Sequence, residues 1–366
     1  MMHLVSHQDE TYDAKSFRWK SESGVLLDLK FKPDLAVFSL ETRPLTMWRY
    51  REAIPILDDT DIVSFDEGYS PLTRFELSGG TYLLKQDHLF PSGSYKDRGA
   101  SVLISQAKSL GVDSVVEDSS GNAGAAIAAY CARAEIQCDI YVPDSTSPAK
   151  LEQIRAYGAD LHRIPGSRED TADAAQNAAE GRFYASHVWN PYFFHGTKTF
   201  AYEVWEQLGQ KAPDEIIIPT GNGTLLIGAY IGFKELLEAG LTRTLPRLTA
   251  VQAANCAPLS VLWEGSETDL LKIATSPTKA EGIAIAAPAR GKQIIDIIRE
   301  SGGRVVTVTE AEINSAYHQM VSVGWFIEPT SASAIAAANK RSRPEEETIV
   351  IPLTGHGLKS AGKPQC

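Results

Sequence analysis

Hydrophobic and polar positions alternate along residues 98–180 in a series of short apolar runs and longer amphipathic stretches. Short apolar runs are typical of buried strands, and apolar residues spaced three and four apart are typical of helices that pack on a sheet. The helices predicted in this way cover 98–110, 122–133, 148–157 and 168–180, and the predicted strands cover 114–118, 139–142 and 161–164. Ser147 with Pro148, and Ser167 with Asp170, are typical helix starts. Repeated strand and helix predict a parallel sheet.

A second series of the same kind begins near residue 197. Its predicted helices cover 197–208, 225–238 and 309–323, and its predicted strands cover 215–218, 248–252, 304–308 and 348–353. Segments 240–246 and 340–347 are polar connectors. The sequence therefore predicts an α/β protein with two lobes, and we expect ligands in a cleft beyond the carboxyl ends of the strands. The expected division is an N-terminal extension at 1–65, a smaller lobe at 66–190 and a larger lobe at 191–366.

Composition narrows the class of protein. The chain has 366 residues, of which 43% are hydrophobic and 22% are charged, and its net charge is −11. This acidic balance argues against a nucleic-acid surface. There is no apolar run of the roughly 20 residues that span a bilayer, and residues 1–30 lack the apolar core of an export signal, so a cytoplasmic location is expected. The four cysteines form no CxxC pair, which predicts neither a disulfide framework nor a zinc site.

Four motifs carry candidate chemistry. They are PSGSYKDRGA at 91–100, SSGNAG at 119–124, PTGNGT at 219–224 and PLTGHGLK at 352–359. In the third, glycines let the backbone approach an anion, and the following helix points free N–H groups at it. In the second, hydroxyls at a helix start can meet a carboxylate. Taken singly, each motif is also explained by ordinary structure: a solvated helix end around Lys96, a helix cap at 119–122, or a plain strand-to-helix turn at 219–224.

In this order, the four motifs resemble the fold type II pyridoxal phosphate enzymes, the tryptophan synthase β family, and within it the threonine synthase branch. The resemblance implies two lobes with mostly parallel sheets and an active site in the cleft between them. It implies that Lys96 is the Schiff-base lysine and the catalytic base, and that pyridoxal 5'-phosphate is the cofactor. The implied cofactor-binding residues are Lys96, Asn122, Gly221, Asn222, Gly223, Thr224 and Thr354. The implied substrate-binding residues are Ser119, Ser120, Gly121 and Lys198.

Thr354 is the most discriminating of these positions, because the resemblance places it opposite the ring nitrogen of the cofactor. A neutral hydroxyl leaves the ring a weaker electron sink than a carboxylate would, which suits elimination and replacement more than transamination. His356 could reach the substrate or be an ordinary polar loop residue. Glu328 could lie near the ring or cap a helix before Pro329.

Further segments resemble the family at 65–72, 280–285 and 328–332, but two departures stand out. In NPYFFHGTKT, at 190–199, Phe193 occupies the place where the family usually carries an arginine suited to a phosphate monoester. Lys198, Arg98 and Asn222 are the remaining candidates for anion contacts. The segment 19–29 resembles a zinc-ribbon-like region without its cysteines, so no metal is expected there.

Three hypotheses follow about function. The first is a threonine synthase-like lyase that converts O-phospho-L-homoserine and water to L-threonine and phosphate. The second is a serine or threonine dehydratase-type deaminase, or a β-replacement enzyme such as a cysteate synthase, which Phe193 favours. The third is a non-enzymatic ligand-binding protein, which the intact Lys96 motif disfavours. The expected partner is a small amino-acid substrate, with no nucleic acid or membrane, and the resemblance implies a homodimer.

Overall fold

The computed structural model describes residues 2–35, 40–77, 80–146, 148–265, 273–341 and 346–360. The chain divides into two compact units. The first unit comprises Met1–Gly68 and Lys96–Thr197, and the second comprises Tyr69–Tyr95 and Lys198–Cys366. The predicted boundaries after residues 65 and 190 treat each lobe as one continuous stretch, whereas each unit here is built from two. Residues 69–95 lie in the second unit because their strands pair with a strand near the end of the chain.

Thirteen strands and eleven α-helices are found among the described residues. The strands are β1 His3–Ser6, β2 Thr11–Asp13, β3 Leu27–Lys30, β4 Leu72–Leu77, β5 Gly80–Lys85, β6 Ser114–Glu117, β7 Gln137–Pro143, β8 Asp160–Ile164, β9 Phe183–Tyr184, β10 Glu215–Pro219, β11 Arg247–Ala253, β12 Arg304–Val308 and β13 Ile349–Pro352. The helices are α1 Lys96–Ser109, α2 Asn122–Ala134, α3 Pro148–Ala156, α4 Arg168–Ala178, α5 Tyr192–Thr197, α6 Thr199–Gln207, α7 Thr224–Glu238, α8 Pro258–Trp263, α9 Gly291–Glu300, α10 Glu310–Ser322 and α11 Pro329–Asn339.

The first unit contains two sheets. A small antiparallel sheet has the order β2-β1-β3, and a parallel sheet has the order β8-β7-β6-β9. Helices α1 and α2 contribute the largest part of the buried core beside the parallel sheet. Because all four strands of that sheet run the same way, the segments that follow β6 and β9 lie at one edge of it.

The second unit is built on one six-stranded sheet with the order β12-β11-β10-β13-β5-β4. Its strands are parallel except β4, which is antiparallel to β5 at the edge. β10 and β13 are buried at every position, as their unbroken apolar runs predict. The segments after β5, β10 and β13 therefore lie at one edge. They carry the turn before Lys96, the TGNG loop and Thr354.

The α/β fold and the parallel pairing predicted from the alternation are confirmed, with shifts of a few residues at element ends. The capping box of Ser167 and Asp170 is present, whereas Ser147 lies outside the described residues. The helix predicted at 197–208 is confirmed as α6, which begins at Thr199 and ends at Gln207. Strands β1–β5 and β9, and helices α5, α8, α9 and α11, were not predicted. α11 is buried on all sides and rich in alanine and serine, so it shows no apolar stripe.

Two features are absent from the part of the chain that the structure describes. It has no helix that is long and apolar enough to cross a membrane. It also brings no three His, Cys, Asp or Glu side chains together as a metal site would.

Candidate active site

The turn before Lys96 is fixed by the loops at the carboxyl edge of the second unit's sheet. The backbone N–H of Tyr95 donates to the Thr354 carbonyl at 3.1 Å. The Tyr95 hydroxyl lies 2.7 Å from Thr224 Oγ1. The backbone N–H of His356 donates to the Gly93 carbonyl at 2.9 Å, with Gly93 at a φ of +82°. The residues that precede the candidate lysine are thus tied to two of the predicted cofactor-binding residues.

Lys96 itself is the first residue of α1 and belongs to the first unit. Its Nζ lies 5.4 Å from the centroid of the Phe193 ring. The ring is fully buried and rests on Gly99, one turn along α1, where a Cβ would stand under 3.0 Å from three ring atoms. Helices α1 and α5 therefore pack at a glycine, and this close packing brings Phe193 to the lysine.

A buried acid and a buried histidine lie near the same ring. His187 makes an edge-to-face contact with Phe193 at a centroid distance of 6.0 Å. Its Nδ1 lies 3.0 Å from Glu117 Oε1. Burial raises the pKa of Glu117 well above its usual range, and burial followed by the nearby charges of Lys96 and Arg168 lowers the pKa of His187 well below its own. Both shifts favour a pair without net charge.

The SSGN segment follows β6 at the carboxyl edge of the first unit's sheet. Ser119 is buried, and its Oγ accepts from the Gly121 N–H at 3.3 Å. α2 begins at Asn122, preceded by Gly121, which has no side chain to cap the helix. Gly124 packs against the Ser119 carbonyl so closely that a Cβ would overlap it. The segment is therefore held rigidly at a helix start, which suits a carboxylate-binding loop.

The TGNG segment follows β10 and precedes the fifteen-residue helix α7. Gly223 is the N-cap residue at a φ of +74°, and a Cβ there would overlap Ile294. A Cβ at Gly221 would stand 2.8 Å from Ile285 Cγ1. Both positions require glycine. The bare backbone and the helix dipole fit the phosphate of the cofactor that the motif implies.

Thr354 follows β13, and its buried hydroxyl is paired with a second hydroxyl. Its Oγ1 lies 3.0 Å from Ser331 Oγ, and its backbone N–H donates to the same oxygen at 2.8 Å. Ser331 belongs to α11 and is fully buried. Glu328, the N-cap residue of α11, makes no side-chain cap, and its carboxylate packs against Gly355. Ser331 is not among the residues predicted from the sequence, although it lies in segment 328–332, which resembles the family.

Lys198 has a different environment from the one predicted. It is fully buried in the second unit, where its Nζ pairs with Glu235 Oε1 at 2.8 Å and Tyr202 donates to the same carboxylate. Burial lowers the pKa of Lys198 and raises the pKa of Glu235, each partly offset by the other group. This ion pair holds α6 to α7, and we leave Lys198 out of the proposed site.

His356 stacks on a second histidine. The rings of His356 and His88 lie 5.7 Å apart, and Trp325 also contacts His88. Burial, followed by the neighbouring charge of His356, lowers the pKa of His88 to about 4, against a smaller opposite effect of Asp87. His356 thus packs on the loop that precedes Lys96.

Within each unit, the structure brings several predicted residues together. In the first unit, Lys96 lies beside Phe193, and Ser119, Ser120, Gly121 and Asn122 form one turn. In the second, Thr224 and Thr354 share Tyr95 as a hydrogen-bonding partner, next to Gly221, Asn222 and Gly223. Glu117 and His187 were missed, because an acid and a histidine 70 residues apart give no local signal.

Comparison with known proteins shows the family of the chain. Residues 63–355 match the family model described as pyridoxal-phosphate dependent enzyme. The chain is 34% identical to the threonine synthase of Methanocaldococcus jannaschii, over 96% of this chain and 91% of that one. It is 36% identical to the threonine synthase of Synechocystis sp., over 87% and 83% of the two chains.

A solved structure supports the fold. The processed form of threonine deaminase isoform 2 from Solanum lycopersicum superposes with a TM-score of 0.69 at 22% identity, over 89% of this chain and 92% of that one. The family model spans most of the chain, and the motifs that it covers include the lysine turn, the SSGN segment and the TGNG loop. The chain therefore belongs to the family of pyridoxal-phosphate dependent enzymes.

Proposed function

We propose that this protein is a threonine synthase-like lyase, which converts O-phospho-L-homoserine and water to L-threonine and phosphate. The observation that carries the proposal is the neutral pair of Thr354 and Ser331 at the end of β13, on the loop that holds Tyr95. A hydroxyl partner for the cofactor ring favours elimination and replacement over transamination. The extent of the likeness to threonine synthases supports the same choice.

The four motifs supply the groups that would hold pyridoxal phosphate. Gly221, Asn222, Gly223 and Thr224 would bind its phosphate, Asn122 and Thr354 its ring, and Lys96 would carry it as a Schiff base. When bound, the cofactor supplies an electron sink for negative charge at the substrate Cα. Lys96 would take the Cα proton as a general base, and Ser119, Ser120 and Gly121 would orient the substrate carboxylate.

Lys96 can be tested against a lysine of the same helix. We expect Lys96→Ala to abolish both turnover and the visible absorbance of the lysine-bound cofactor. Lys108, which is exposed in the last turn of α1, serves as the matched control. Lys108→Ala should retain both signals. Activity in Lys96→Ala would remove the basis of the assignment.

The reaction is tested by following phosphate and threonine together on O-phospho-L-homoserine. Equal release of the two products supports the proposed function. Release of neither, in a protein that binds the cofactor, contradicts it.

Phe193 favours a second candidate, a β-eliminating deaminase or a β-replacement enzyme. An apolar ring beside Lys96 offers no charge to a phosphate monoester, and it suits a smaller, less charged substrate. Formation of keto acid and ammonia from L-serine or L-threonine, without phosphate release from O-phospho-L-homoserine, would support this candidate.

We also propose a cytoplasmic location, which is consistent with a cysteine pattern that predicts no disulfide framework, and a homodimer, which rests on the family resemblance. Sedimentation of the purified protein at several concentrations tests the oligomeric state. A monomer at all of them contradicts the dimer.

A further inference from the structure

Two neighbouring strands of the first unit bring a buried acid and a buried histidine together. Glu117 is the last residue of β6, and His187 follows β9, which pairs with β6 in parallel. The pairing continues past β9, where the Ala185 N–H donates to the Val116 carbonyl at 2.8 Å. Glu117 and His187 therefore meet at the edge of the sheet where the SSGN segment also begins.

The charges around the pair favour its neutral form. Lys96 on α1 and Arg168 at the start of α4 face His187, and both lower its pKa, as burial does. Around Glu117, burial, Asp118 and Cys138 raise the pKa, and Lys96 opposes them. The pair thus shares one proton between a carboxyl group and an imidazole.

The hydrogen bond also fixes where that proton lies. Among the described residues, Glu117 Oε2 has no hydrogen-bond partner, although it is buried. A buried O–H without a partner costs more than a buried carbonyl without one, so the proton belongs on Oε1, which donates to His187 Nδ1. The single N–H proton of the neutral imidazole is then on Nε2.

The free side of the imidazole is available to a ligand. Within the described part of the chain, the only hydrogen bond of the His187 ring is the one at Nδ1, and the residue keeps 8% of its surface exposed. The ring contacts Phe193, which also contacts Lys96 Nζ. A proton donor therefore lies against the same aromatic ring as the catalytic lysine.

We propose that His187, held by Glu117, is the general acid that protonates the oxygen leaving the substrate; this rests on the proposed function. As the C–O bond breaks, its electron pair stays on the leaving oxygen, which takes the proton from Nε2. The proton of Glu117 moves to Nδ1, so the pair ends as a neutral imidazole and a carboxylate. Solvent returns one proton to the pair before the next turnover. Lys96 then serves only as the base at the carbon atoms of the substrate, and not as the acid for the leaving oxygen.

The test compares substrates that differ in whether the leaving group needs a proton. L-Serine and O-phospho-L-homoserine lose oxygen, whereas β-chloro-L-alanine loses chloride, which needs none. We expect His187→Gln to lower kcat at least ~100-fold on the oxygen-leaving substrates, the usual scale of general acid catalysis, and to change it little on β-chloro-L-alanine. Glu117→Gln keeps a donor to Nδ1 but cannot release its proton, so it should show the same selective loss to a smaller extent.

His162 provides a matched control. It forms another His–carboxylate pair in the same sheet, with Asp139 at 2.7 Å. His162→Gln should leave unchanged the ratio of kcat on the oxygen-leaving substrates to kcat on β-chloro-L-alanine. Equal losses on both kinds of substrate in His187→Gln, or no loss on either, would overturn the proposal.

A second measurement does not depend on turnover. In the cofactor-free protein with ¹⁵N-labelled histidine, we expect His187 to be neutral with its proton on Nε2 at pH 7, and to lose this tautomer preference in Glu117→Leu. An imidazolium at pH 7, or a proton on Nδ1, would overturn the proposal. Absence of phosphate release by the wild-type protein would instead count against the proposed function alone, because the serine comparison and the NMR spectra still test His187.

Discussion

Replacing Gly99 by alanine should separate the packing of α1 and α5 from the chemistry of Lys96. A Cβ at residue 99 would stand under 3.0 Å from three atoms of the Phe193 ring, whereas carbon atoms in contact are normally ~3.5–4.0 Å apart. The ring is fully buried, so it cannot turn aside without displacing its neighbours. We therefore expect Phe193 to be pushed away from Lys96 and His187.

The size of the effect follows from two opposing terms. Overpacking a buried site costs about 1–3 kcal/mol. Replacing glycine by alanine in a helix returns about 0.5–1 kcal/mol. The net expectation for Gly99→Ala is a loss of about 1 kcal/mol in the free energy of unfolding. In Gly99→Ala/Phe193→Leu the smaller side chain makes room for the Cβ, so the double variant should be about 0.5–2 kcal/mol more stable than additivity predicts.

Urea denaturation of the wild type, the two single variants and the double variant measures this coupling. Lys108→Ala, on the exposed side of the same helix, reports the change in helix propensity together with the loss of an exposed hydrogen bond to the Thr60 carbonyl. The cofactor absorbance of each variant, followed over pH, reports the environment of Lys96. If Gly99→Ala were stabilised by about 1 kcal/mol, as propensity alone predicts, and were additive with Phe193→Leu, the packing argument would be refuted.

Three further predictions concern the second unit. Gly223→Ala should weaken cofactor binding, measured by absorbance titration, because its φ of +74° disfavours alanine and the added Cβ overlaps Ile294; unchanged affinity would contradict the glycine requirement. Lys85→Met should lower the free energy of unfolding, measured by urea denaturation, by about 3–5 kcal/mol, because it removes the ammonium that lies 2.7 Å from the buried Glu203 carboxylate, and adding Glu203→Leu should recover most of the loss. His88 has its pKa lowered from 6.5 to about 4, so the unfolded chain takes up a proton that the native protein does not. The free energy of unfolding should therefore fall by about 3 kcal/mol as the pH drops from 6.5 towards 4, and in His88→Phe it should fall by about that much less. Equal dependence of the free energy of unfolding on pH in the two proteins would contradict the lowered pKa of His88.

The sequence by itself determined the fold class and the family of this protein. Alternating apolar runs encode buried strands and amphipathic helices locally, because each periodicity depends only on neighbouring residues. The lysine turn and the two glycine-rich loops are likewise local, since each needs a few residue types at fixed spacing. These signals were enough to predict Lys96, the SSGN segment and the TGNG loop as parts of one site from the order of residues alone.

The tertiary structure alone decided what surrounds those motifs. The pairing of β6 with β9 brings Glu117 to His187, and the pairing of β5 with β13 draws residues 69–95 into the second unit. A glycine at residue 99 seats Phe193 beside Lys96, and burial against Glu235 turns Lys198 from a candidate ligand into part of an ion pair. Strand order and helix packing join residues that are far apart in the chain, and neither leaves a periodic trace in the sequence.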